Sequence, residues 1–152
     1  MPQSLAKVSI HIVYSTKDRK PWLKERKLCD ELYAYMGAIL RDNVDSPAMI
    51  INGYEDHVHI LCHLSRKFSI SDLVQVSKTE TSKWLKKQSH ATRFFTWQSG
   101  YGAFSVSQSK IPDVREYIAN QVEHHQRVSF KNEFRRLCQR HGIDLDERYA
   151  WA

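Results

Sequence analysis

The sequence predicts an α+β fold: a ferredoxin-like (RRM-like) split β-α-β antiparallel sheet with helices on one face, followed by C-terminal helices. Three observations carry this. Strand-like and helix-like periods alternate in the order β-α-β-β-α-β. A chain of 152 residues with 41 % apolar content suits a single core. No repeat, linker or low-complexity stretch interrupts it, so residues 1–152 are expected to form one domain.

The first strand is read from Val8 to Tyr14, where Val8, Ile10, Ile12 and Tyr14 alternate with Ser9, His11 and Val13. After the polar turn Lys17-Asp18-Arg19-Lys20-Pro21, a helical apolar face follows from Leu28, Leu32, Tyr35, Met36 and Ile39 at three- and four-residue spacing. Ala48 to Gly53 and His57 to Leu64 are β-rich runs joined by Tyr54-Glu55-Asp56, the pattern of a hairpin. Ser69 and Asp72 form an S-x-x-D start signal for a second amphipathic helix, with Ile70, Leu73, Val74, Trp84 and Leu85 on its apolar side. A strand over Ala103 to Ser107 comes next. Pro112 suits the opening of a third helix, expected from about Asp113 to Val128 without a break. A fourth helix, Phe130 to Arg140, is expected to stop at Gly142. Two helices on one side of the sheet would leave the other side bare for a ligand or partner.

The net charge of +6 makes a polyanion such as nucleic acid the first partner to consider, although phosphate contacts carry no base specificity. Lysines of the second helix, Lys78 among them, together with Arg66, Lys67, Arg93 and Lys110, are candidates for phosphate contacts. Trp97, Phe94 and Tyr101 are candidates for stacking on unpaired bases. Cys29, Cys62 and Cys138 lie far apart and form no C-x-x-C pair, which argues against a disulfide framework or a cysteine-rich zinc module. No run reaches the roughly 20 apolar residues needed to cross a bilayer, and Met1 to Lys7 lacks a signal-peptide core, so a cytoplasmic protein with no membrane partner is expected.

Two motifs carry chemistry. His57 and His59 stand at i and i+2 of one strand and so present two imidazoles to the same face, expected to be the open one, while Val58 points into the core. Two surface histidines around a buried valine would look the same, so the motif gains weight only with the second. Tyr117 and Gln121, at i and i+4, set a phenol and an amide one helical turn apart. The amide oxygen of Gln121 can complete a metal site with His57 and His59 that keeps positions open for phosphate oxygen and water. A zinc site of His57, His59 and His63 is the weaker alternative, because three ligands from one short strand span too far to close on one ion. His124 and His125 follow Gln121 by three and four residues, which gives either a route to the metal or to DNA, but they read first as solvated or supporting groups.

Together these motifs resemble the single-tyrosine HUH transposases of the insertion-sequence 200/605 family, including the REP-associated branch. Asp56-His57-Val58-His59-Ile60-Leu61 is similar to their histidine-hydrophobic-histidine strand, and Tyr117 with Gln121 to their Y-x-x-x-Q helix. The opening strand Ile10 to Lys17 and the stretch Gln98 to Val106 also match.

The resemblance implies a homodimer that cleaves and rejoins single-stranded DNA at ends marked by imperfect hairpins. Mg2+ or Mn2+ would be held by His57, His59 and Gln121, and Tyr117 would act as nucleophile, forming a 5′-phosphotyrosine intermediate. It also implies a composite site, with Tyr117 supplied by the partner subunit. The alternatives are a replication- or conjugation-type HUH nickase, which brings a third histidine and extra domains, and a domesticated, non-mobile hairpin-binding protein.

Overall fold

The computed structural model describes residues 3–152. Its principal elements are β1 (Val8–Ser15), α1 (Arg26–Val44), β2 (Ala48–Tyr54), β3 (His57–Leu64), α2 (Ile70–Gln88), β4 (Gly102–Val106), α3 (Ile111–Ala119), α4 (Gln121–His125) and α5 (Phe130–Arg140). The strands form one sheet in the order β2-β3-β1-β4 with every neighbour antiparallel, the split β-α-β arrangement that the sequence predicts.

Alternation along β1 and β3 creates two faces of different chemistry. Ile10, Ile12 and Tyr14 of β1 join Val58, Ile60 and Cys62 of β3 in the main core. There they meet Leu32, Met36 and Leu40 of α1 and Leu73, Val74 and Leu85 of α2, all buried. Each such Leu or Met contributes about 1.5–3 kcal/mol of hydrophobic stabilisation. The start signal of α2 is a capping box: Asp72 N donates to Ser69 Oγ at 3.0 Å and Ser69 N donates to Asp72 Oδ2 at 3.3 Å.

The second face is not bare as expected; it is roofed by the C-terminal helices. These carry apolar stripes of their own and must bury them. Ile111 and Ile118 of α3 pack on Leu61, while Phe130, Leu137 and Cys138 of α5 pack with Val13 and Phe104. The expected unbroken helix over 113–128 is also corrected, because α3 ends at Ala119 and a short α4 starts at Gln121, with Asn120 between them at φ −97° and ψ 20°. The cause lies in the sheet. Asn52 of β2 donates its amide to the carbonyls of Ile118 and Ala119 at 2.9 and 3.3 Å, satisfying the orphan end of α3 and turning the chain.

Two residues considered for DNA contact make hydrogen bonds within the fold. Lys78 donates to the carbonyls of Gln98 and Gly100 at 2.7 and 2.6 Å, and buried Trp97 donates from Nε1 to Thr81 Oγ1 at 3.0 Å. Phe94 and Tyr101 are exposed. Cys29, Cys62 and Cys138 are buried and unpaired. Among the described residues no helix is long and apolar enough to cross a membrane.

Candidate metal and nucleophile centre

The site lies between the second face of the sheet and its helical roof. The hairpin between β2 and β3 sets its edge. A Cβ on Gly53 would stand 2.2 Å from the His57 carbonyl oxygen, so only glycine permits this close approach of the two strands. β3 then presents His57 and His59 side by side, with Val58 turned into the main core. Contrary to the expectation of an open face, both imidazoles are fully buried, because α4 and α5 close over them.

α5 delivers the group around which the site is organised. Glu133 is buried, one turn from Phe130 and Leu137 on the inner side of the helix. Its Oε1 accepts from His59 Nε2 at 2.9 Å and lies 3.0 Å from His125 Nε2 and 3.3 Å from His57 Nε2. Its Oε2 accepts from the Gln121 amide at 3.0 Å and from the Tyr117 hydroxyl. The four residues expected from the sequence, His57, His59, Gln121 and Tyr117, therefore do meet, and Gln121 Oε1 sits 3.1 Å from His57 Nε2.

The outer nitrogens explain why the inner ones converge. His57 Nδ1 donates to Asp56 Oδ1 at 2.7 Å, and His125 Nδ1 donates to the Val128 carbonyl at 2.6 Å. Since a carboxylate and a carbonyl can only accept, each of these rings carries its first proton on Nδ1 and aims Nε2 inward. Lone pairs aimed at a carboxylate oxygen repel it unless a proton or a cation lies between. The ligand atoms of His57, His59, His125 and Glu133 all lie within 4.8 Å of one another. Three imidazoles, a carboxylate and the Gln121 amide oxygen are a donor set that fits a divalent transition metal.

Without a cation, protons take over this balancing. Burial alone would lower His57, but hydrogen bonds to Asp56 and Glu133 outweigh it and raise its pKa to about 9. His59 goes the other way, to about 4, because burial dominates over the Glu133 bond. Burial would raise Glu133, yet the hydrogen bonds from His125, His57 and His59 hold it well below the usual carboxylate range. The Tyr117 phenol is pushed up by burial and by the negative charge of Glu133.

Other expectations separate here. His63 stays outside the cluster, with Nδ1 3.2 Å from Ser9 Oγ. His125, read as solvated or supporting, is instead a full member of the cluster, and His124 Nε2 is buried without a hydrogen-bond partner 3.3 Å from Glu133 Oε2. Tyr117 reaches the cluster within one chain, its ring centroid 5.8 Å from that of His59. Glu133 escaped the sequence reading, and His125 was ranked below the ligands there, although a signal existed for each. An acid between Phe130 and Leu137 stands on the apolar stripe of its helix, and His125 repeats the i, i+4 spacing from Gln121.

No curated protein matches this sequence. Among solved structures it is similar to a candidate transposase from Deinococcus radiodurans R1, with 21 % identity, 80 % of this chain and 95 % of that one covered, and a TM-score of 0.58. It is also similar to a REP-associated tyrosine transposase bound to a REP hairpin, with 12 % identity, 82 % of this chain and 73 % of that one covered, and a TM-score of 0.55. At such identities these likenesses establish a shared fold. The family model "Transposase IS200 like" matches residues 4–121, which take in β1 to β4, His57 and His59 of β3, Tyr117 and Gln121. This chain belongs to the IS200-like transposase family.

Proposed function

We propose that the protein cleaves and rejoins single-stranded DNA beside hairpins, with Tyr117 as nucleophile and a divalent cation held by His57, His59, His125 and Glu133, with Gln121 alongside. One observation carries this: the Tyr117 hydroxyl and three convergent imidazoles share a single buried carboxylate. The family membership supplies the class of reaction and the hairpin-bound relative suggests the form of the substrate.

In the forward step the Tyr117 oxygen attacks the phosphorus of a DNA phosphodiester. The bond to the 3′ oxygen breaks, and the phenolic proton ends on that oxygen. The products are a 5′-phosphotyrosine and a free 3′-OH, and attack by another 3′-OH reverses the step without an external energy source. A bound cation would neutralise charge on the phosphate oxygens. The chain's own residues orient the donors: Asp56 holds His57, the Val128 carbonyl holds His125, and Glu133 links the tyrosine to all of them. Burial keeps bulk water from these groups.

The test uses the full chain, a hairpin-bearing oligonucleotide and Mg2+ or Mn2+, resolved on a denaturing gel. A covalent protein–DNA band that requires metal is the expected result. Hairpin binding without any covalent band under either metal would favour a protein that only binds, and cleavage in a chelating buffer would remove the cation from the scheme.

A further inference from the structure

We propose that His11 is a positioning residue for the candidate centre: it holds the His59 ring and lets that ring serve either Glu133 or a cation. The inference rests on the metal reading above. His11 lies on β1 opposite Leu61 and diagonal to His59, which pairs with Val13, so both rings rise from the same face of the sheet. Both are buried, with His11 Nε2 2.8 Å from His59 Nδ1 and the rings stacked at a centroid distance of 5.0 Å.

The three imidazoles of the site differ in what grips them from behind. His57 and His125 are held by acceptors only, Asp56 and the Val128 carbonyl, which lock the proton on Nδ1. His59 alone is held by a group that can donate or accept. With Nε2–H of His59 given to Glu133, its Nδ1 is bare and His11 donates to it. When the Nε2 lone pair is needed for a ligand, the His59 proton sits on Nδ1 and His11 becomes the acceptor. Outer partners of this kind fix the orientation and tautomer of a ligating histidine. The amide of glutamine can also act both ways at the reach of Nε2, whereas leucine can do neither.

The test has a metal-free arm and a metal arm. In 15N-labelled wild type without metal, a scalar coupling across the N–H···N bond between His11 Nε2 and His59 Nδ1 is expected, and its absence in the folded protein would overturn the proposal. By calorimetry with Zn2+, His11→Leu should bind about 10–100-fold more weakly than wild type, the usual cost of losing such a partner. His11→Gln should stay close to wild type. Unchanged affinity in His11→Leu would overturn the proposal, as would an equal loss in His11→Gln, which would assign His11 to packing against Phe104 and Tyr117. Should His11→Leu fail to fold, the glutamine variant and the coupling still decide. A wild type that binds no Zn2+ or Mn2+ would sink the metal reading of the site, while the coupling would still report whether His11 grips His59.

Discussion

The same two strands, β1 and β3, build opposite worlds on their two faces. Toward α1 and α2 they offer Ile10, Ile12, Val58 and Ile60 to a dry core; toward α4 and α5 they offer His57 and His59 to one carboxylate, with His11 behind His59. On the first face stability comes from apolar area, which tolerates substitution by residues of similar volume. On the second, the buried polar side chains of His57, His59, Gln121 and Glu133 depend on named partners, and removal of one partner strands the others. One face therefore holds the fold and the other is held by it. Mutations on the two faces should fail in different ways.

The largest effect belongs to the nucleophile. Tyr117→Phe removes one oxygen and keeps the ring against His11 and His59, so covalent attachment to DNA should disappear while hairpin binding persists. An adduct that survives would move the nucleophile to another tyrosine, with exposed Tyr101 the first to test. Because Tyr117 meets the histidines of β3 within one chain, co-folding Tyr117→Phe with His57→Ala/His59→Ala subunits should restore no cleavage. Recovery near half of wild type in proven heterodimers would establish a site shared between subunits.

Next come two substitutions that separate the faces. Glu133→Gln keeps the shape yet removes the charge that three imidazoles share, and Mn2+ affinity should fall at least as far as the about 10–100-fold loss seen for outer partners of metal ligands. Ile60→Ala, on the dry face, should destabilise by about 2–5 kcal/mol and leave Mn2+ affinity near wild type. Chemical denaturation and calorimetry on both variants give the two readouts. If Ile60→Ala also abolished metal binding while folded, the faces would not be independent.

Metal itself should stabilise only through the histidine face. At 100 times its dissociation constant, a cation that binds the folded chain alone adds about 2.7 kcal/mol. Wild type should therefore melt higher with Mn2+ than in a chelating buffer, and Glu133→Gln should show little difference. Equal shifts in both proteins would place the binding elsewhere.

Much of this comparison was legible in the sequence, because a period of two fixes which side of a strand each residue takes. Ile10 and Ile12 against His11, and Val58 against His57 and His59, sort correctly from spacing alone. The Ser69–Asp72 cap and the stop of α5 near Gly142, at φ +68°, are local and were legible for the same reason. What covers the second face was not, since it depends on the contact of Asn52 with the end of α3, which lies 66 residues away. That turn redirects α4 and α5 over the histidines and brings in Glu133 and His125. Y-x-x-x-Q spacing assigned Tyr117 and Gln121 to one unbroken helix; they meet across a helix break instead, through a carboxylate from the next helix.

The smallest expected effect concerns how His57 is held. With its folded pKa raised from 6.5 to about 9, through hydrogen bonds to Asp56 and Glu133 that outweigh burial, the protonated ring stabilises the metal-free fold. That contribution is fully present below pH 6.5, the value in the unfolded chain, and is lost as pH rises through about 9. Asp56→Asn should therefore be less stable than wild type near pH 6, and the gap should narrow toward pH 9 by about 1 kcal/mol, a modest figure because the Asp56 side chain is 24 % exposed to solvent. Thermal melts of both proteins in a chelating buffer across this range measure it, and because the substitution leaves every distant titrating group in place, the difference between the two curves reports on this pair. A gap that stayed constant would mean that Asp56 only accepts the Nδ1–H of a neutral ring. The ring would then depend on Glu133 alone for any second proton, and the burden of balancing the centre without metal would shift from the hairpin to α5.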